Sequence, residues 1–186
     1  TQTRLWIAEG TQCPLPLGPK YLYVAYFASA EWNCFLSLGW DLPARIIDLY
    51  PEYRRMTNGA VGYATRSGYG LLAAAGAFGV ATMDANYKTD MHDLIMEGGP
   101  WTADQQNGIL EYCATDVVIT GKLFAQMWPK IATDQLALSQ ALFRGRYTAA
   151  VARMEFAGTP IDTVLLAKLK SNWSKLRLYL IEALDQ

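Results

Sequence analysis

The chain has 186 residues, long enough to bury a sizeable core, and with 52% hydrophobic and 18% charged residues it is neither disordered nor fibrous. A formal net charge of −1 gives no global basic field, so any contact with nucleic acid has to be local. With His92 as the only histidine, histidine triads and zincin-type sites are excluded, and Cys13, Cys34 and Cys113, odd in number and widely spaced, speak against structural zinc and a disulfide scaffold. Carboxylates must carry whatever chemistry exists, and the cysteine usage fits a reducing, cytoplasmic compartment.

In chain order, Thr3 to Ile7 alternates polar and apolar residues, which predicts a half-buried strand ending at Glu9-Gly10. Three prolines and a glycine between Thr11 and Lys20 predict a loop. Tyr21 to Phe27 is an unbroken β-branched and aromatic run, the pattern of a central strand buried on both faces. Ser29 is placed to cap a helix over Ala30 to Leu38, stopped by Gly39, and Arg45 to Leu49 reads as a second strand. Strand, helix and strand at this spacing predict a crossover unit and an α/β fold.

Pro51 to Leu94 is mostly helical in pattern, with turns at Asn58-Gly59 and Gly68 to Gly70 and an alanine-rich helix over Leu71 to Phe78. Thr102-Ala-Asp-Gln105 matches a capping box, followed by apolar residues at helical spacing as far as Pro129. Two further helices are expected, Leu136 to Phe156 and, with Asp162 as N-cap, one reaching about Leu184. A boundary near residue 133 separates 1–132 from a helical segment, 133–186. The longest charge-free stretch, Ser67 to Met83, is broken by glycines and too short for a membrane span, so no membrane partner is expected.

Two features bear on chemistry. Tyr112 and Asp116 stand four apart on one helix face, where a carboxylate can bind a hard divalent cation and a phenol one turn away can orient or help deprotonate a water; the same pair also reads as a core tyrosine and a solvent-facing aspartate. Glu31 opens the helix after the most buried-looking strand, at the sheet end where ligands bind in α/β folds, or is simply a first-turn glutamate favoured by the helix dipole.

Around these residues the chain resembles the 3′–5′ exonucleases of the DEDD superfamily, in the Tyr variety attached to family A DNA polymerases. Val24-Ala-Tyr-Phe-Ala-Ser-Ala-Glu-Trp-Asn-Cys-Phe-Leu-Ser-Leu-Gly-Trp-Asp-Leu-Pro43 with Ile46-Ile-Asp-Leu49 resembles their second motif region, and Tyr112-Cys-Ala-Thr-Asp116 their third, Tyr-x-x-x-Asp. Leu71 to Gly79 occupies the place of the intervening helix, and Arg144 to Asp162 is similar to the stretch that opens the polymerase region. The resemblance implies an RNase H-like mixed sheet flanked by helices, two Mg2+ or Mn2+ ions, and hydrolysis of the 3′-terminal phosphodiester of single-stranded DNA beside a downstream polymerase domain. It makes Glu31 and Asp116 metal-site carboxylates and Tyr112 the residue positioning the attacking water.

Two departures stand out. The family has Asp where this chain has Glu31, and its first motif, Asp-x-Glu on the first strand, is missing from Thr3 to Ile7 and expected upstream of Thr1. Two dications about 4 Å apart repel and need several carboxylates, so these 186 residues alone are expected to have little or no activity. The competing readings are a non-enzymatic DNA-holding platform next to a polymerase and an unrelated helical α/β domain whose spacing is coincidental. Gly68-Tyr-Gly-Leu-Leu-Ala73 mimics a dinucleotide fingerprint but has no preceding strand, Asp48 ends a strand and could approach the site or, as the resemblance implies, is a structural partner, and Lys88, Arg144, Arg146 and Arg153 are candidate phosphate contacts or a solvated face. Trp32, Trp40 and Trp101 read as core or as base-stacking platforms.

Overall fold

The computed structural model describes residues 3–7, 10–59, 68–82 and 84–185. Glu9, Ser67 and Met83 lie outside the described residues. The elements are β1 (Tyr23–Ala25), α1 (Ser29–Ser37), β2 (Ile46–Asp48), α2 (Leu49–Thr57), α3 (Leu71–Ala77), α4 (Ala85–Glu97), α5 (Ala103–Ile131), α6 (Gln135–Ala157) and α7 (Thr163–Leu184).

A parallel crossover unit forms, but the expected central strand Tyr21 to Phe27 shortens to Tyr23–Ala25 and is one edge of a two-stranded sheet, since no third strand pairs with it among the described residues. β1 and β2 are parallel, in register Tyr23 to Ile46, Val24 to Ile47 and Ala25 to Asp48, with α1 between them. Both faces of this small sheet are covered. Ile46 packs with Ala25, Trp32, Phe35 and Trp40 of the α1 side, joined by Ala149 and Ala152 of α6. The adjacent Ile47 points the other way, into a cluster with Tyr53, Ala74, Leu123 and Met127. Alternation along a strand buried on both faces therefore divides the core into two layers.

The RNase H-like mixed sheet does not form. Among the described residues the sheet has two strands of three residues each, and seven helices dominate the chain. Thr3 to Ile7 has the alternation of a strand but takes part in no ladder; its ring and charge contacts go instead to the α5 end of the molecule, Trp6 edge-on to Trp101 and Arg4 to Glu111. An alternating pattern fixes a strand only when a neighbouring edge satisfies its backbone, and none does so here.

Local signals explain most helix boundaries. Thr102 Oγ1 accepts from the Gln105 amide while the Gln105 side chain accepts from the Thr102 amide, so the predicted capping box closes α5. Asp162 caps α7 by accepting from Leu165 N. The expectation for α1 needs correction: Ala28 is the N-cap, without a side-chain bond, and Ser29 is already inside the helix. The turn is held by Asp48, whose carboxylate accepts from Phe27 N at 2.9 Å and Ala28 N at 3.0 Å and, as N-cap of α2, from Tyr50 N at 2.9 Å. This grip keeps Phe27 at φ +67°, a conformation that costs a bulky residue about 1–3 kcal/mol. Asp48 thus serves as a structural partner of this turn.

Helix α6 lies directly on the sheet. Ala141, Gly145, Ala149 and Ala152 form a buried seam of small residues, and a Cβ on Gly145 would stand 2.6 Å from the carbonyl carbon of Ile46. Arg144 beside it makes a two-pronged pair with Glu52, its Nη2 donating to Oε2 at 3.0 Å and its Nε to Oε1, and Glu52 is fully buried. The compact unit containing the sheet runs through Phe156, and residues from Ala157 onward form a second unit. In that unit α7 has no buried residue; Leu165, Trp173, Leu180 and Leu184 are all exposed. No helix among the described residues is long and apolar enough to cross a membrane.

Candidate functional site

Glu31 and Asp116, 85 positions apart in sequence, line the same cavity of about 550 Å³. Its walls are β1 (Tyr23, Val24, Ala25), the first turns of α1 (Glu31, Trp32) and one face of α5 (Asp116, Thr120, Phe124). The geometry follows from the local elements. β1 ends at Ala25, the Asp48-pinned turn starts α1 at once, and the third residue of α1 is Glu31, which places a carboxylate near the carboxyl end of the strand. Helix α5, held at its start by the capping box, presents Tyr112 and Asp116 on the same stripe.

Although Glu31 as a residue is exposed, its carboxyl is surrounded by protein. Burial pushes its pKa up to about 7; its own backbone amide opposes the rise, and the negative charges of Asp48 and then Asp116 add to it. Glu31 forms no ion pair among the described residues. Asp116 has a partner: Lys88 Nζ donates to both its oxygens at 3.0 Å. Lys88 sits in the first turn of α4, where the helix dipole disfavours a cation, and the aspartate compensates for that position.

Tyr112 stands beside this pair. Lys88 Nζ lies 5.6 Å from the Tyr112 ring centroid, and Tyr87 meets the same ring edge-on. Burial raises the phenol pKa, the Asp116 charge adds to the rise, and Lys88 works against it. A phenol held above its ordinary range stays protonated near neutral pH, so of the two roles read for Tyr112 it suits orienting a water and not deprotonating one.

The three predicted site residues are therefore gathered around one region, Glu31 and Asp116 in a shared cavity and Tyr112 one turn from Asp116. The missed feature is Lys88 as counter-charge to Asp116; its sequence signal is weak, because pairing across 28 residues is invisible to helical spacing. The tryptophans resolve unevenly. Trp32 and Trp40 are buried, as the core reading has it, and the Trp32 indole N–H is buried without a partner at the cavity wall.

As donors for dications the described residues are a partial set. Two hard-oxygen carboxylates share the cavity, which suits Mg2+ or Mn2+, but no three of His, Cys, Asp and Glu among the described residues come together to hold a metal ion. Comparisons with protein-family models, curated proteins and solved structures found no match for the chain.

Proposed function

We propose that the chain is the carboxylate-bearing portion of a 3′–5′ exonuclease that acts on single-stranded DNA ends beside a DNA polymerase. The observation that carries the reading is the convergence of Glu31 and Asp116, from α1 and α5, on one cavity at the end of β1, with Tyr112 a turn away. Glu31 and Asp116 would supply two of the ligands to Mg2+ or Mn2+. Bound dications would activate the attacking water and offset charge developing on the phosphate. Tyr112, protonated, would hold that water by a hydrogen bond. Two carboxylates, one shared with Lys88, do not balance two dications, so turnover needs further acids on a neighbouring strand.

The rival reading, a non-enzymatic DNA-holding domain, has one observation in its favour: Lys88 supplies Asp116 with the positive charge a metal would otherwise provide. Reading the frame upstream of Thr1 and assaying the longer protein separates the two. An upstream Asp-x-Glu strand, with Mg2+-dependent removal of 3′ nucleotides that falls about a hundredfold in Asp116→Asn and about tenfold in Tyr112→Phe, supports the nuclease. A longer protein whose added strand has no acids, or one that has them and does not cleave, supports the platform. Robust cleavage by residues 1–186 alone would contradict the account of a partial carboxylate set.

A further inference from the structure

Of the basic residues on α6, Arg144 is withdrawn into its pair with buried Glu52, whereas Arg146 and Arg153 are exposed and make no ion pair or hydrogen bond with any described residue. Both line a cavity of about 700 Å³ between α6 and the chain at Leu42 and Pro43, on the opposite side of the α6 seam from Arg144's partner. Two large rings stand in the same wall, Phe143 at 70% and Tyr147 at 63% exposure. Two exposed rings beside two arginines without a carboxylate partner make one mixed apolar and cationic patch, the kind of surface that marks an interaction site.

The spacing selects the partner. Positions 143, 146, 147, 150 and 153 recur on one helix face, so the rings and arginines form a single strip. Seven residues of helix put Arg146 and Arg153 about 10 Å apart along the axis, compatible with phosphates separated by one or two nucleotides. Tyr147 between them and Phe143 about one turn before Arg146 offer ring faces to unpaired bases, the combination of cationic track and stacking platform that holds single strands without reading sequence. We propose that this strip of α6 binds single-stranded nucleic acid, Arg146 and Arg153 contacting phosphates and Phe143 and Tyr147 stacking on bases. In a chain of net charge −1, it supplies the local basic surface that the whole molecule lacks.

The proposal stands independently of the nuclease reading, since the strip shares no residue with the Glu31–Asp116 cavity. The test is fluorescence anisotropy of the 186-residue chain with a labelled oligothymidylate of about a dozen nucleotides, in EDTA, from about 50 to 200 mM salt. The parent is expected to bind with affinity that falls with salt. Arg146→Ala with Arg153→Ala should weaken binding about tenfold at low salt and flatten the salt slope by about 1.4, two phosphates at ~0.7 each. Phe143→Leu with Tyr147→Leu should weaken binding about tenfold and leave the slope as it is. All four positions are exposed, and thermal melting within about 2 °C of the parent verifies folding. Absence of binding by the parent, an unchanged slope in the arginine pair, or an equal change on neutralising Lys20 and Lys122 would overturn the proposal. So would binding to anionic phospholipid vesicles without binding to the oligonucleotide.

Discussion

Two sets of carboxylates flank the small sheet, and they are treated in opposite ways. Around Asp48 and Glu52 every oxygen is used: Asp48 accepts three backbone amides, and Glu52 takes Arg144 and Arg55, with both acids buried. Around Glu31 and Asp116 there is one lysine for two acids, and Glu31 is left with a pKa near 7. The difference separates structure from candidate chemistry. Acids with a hydrogen bond to each oxygen from fixed partners hold the fold, and acids without one mark where a cation or a reacting group can enter.

The structural side should break hardest. Gly145→Ala drives a methyl group into the Ile46 carbonyl, where the atom met is backbone and cannot swing away, so a loss of about 4 kcal/mol or outright unfolding is expected in a denaturant titration. Arg144→Met leaves Glu52 buried with only Arg55 and should cost about 3 kcal/mol, seen as a thermal midpoint lowered by roughly 6–12 °C. An Arg144→Met protein as stable as the parent would erase the contrast between the two sets.

On the other side, removing the Glu31 charge should act with the opposite sign. A folded pKa near 7 against an ordinary 4.5 means that the folded state holds the Glu31 proton more tightly, so this stabilisation is full at acid pH and is lost as pH rises from about 4.5 through about 7. Glu31→Gln removes that loss. Without divalent cations its melting temperature should exceed the parent's at pH 8, the difference closing below pH 4.5. Lys88→Ala should change stability by less than about 1 kcal/mol, because the Lys88–Asp116 pair is partly open to solvent.

Much of the local structure was legible because its causes are local. The Thr102–Gln105 box, the Asp162 cap and the β-branched runs at Tyr23 and Ile46 each act within a few residues. The wider architecture was not. Thr3 to Ile7 alternates as a strand does, yet pairing depends on an edge elsewhere in the chain, and the expected mixed sheet gave way to a helical unit around two short strands. The alanine and glycine seam of α6 also went unread, since small residues show little periodic hydrophobicity even where they allow the closest approach in the core. At the site, spacing revealed Tyr112 with Asp116 and strand order revealed Glu31, while the Lys88 contact, made across two helices, had no local signature.

The imbalance at the Glu31–Asp116 cavity is tested most directly by following the Glu31 side-chain carboxyl carbon in an NMR pH titration of the metal-free chain. The account predicts a midpoint of about 7, moving down in Asp116→Asn as one of the neighbouring negative charges is removed. A midpoint near 4.5, unmoved by that substitution, would contradict it.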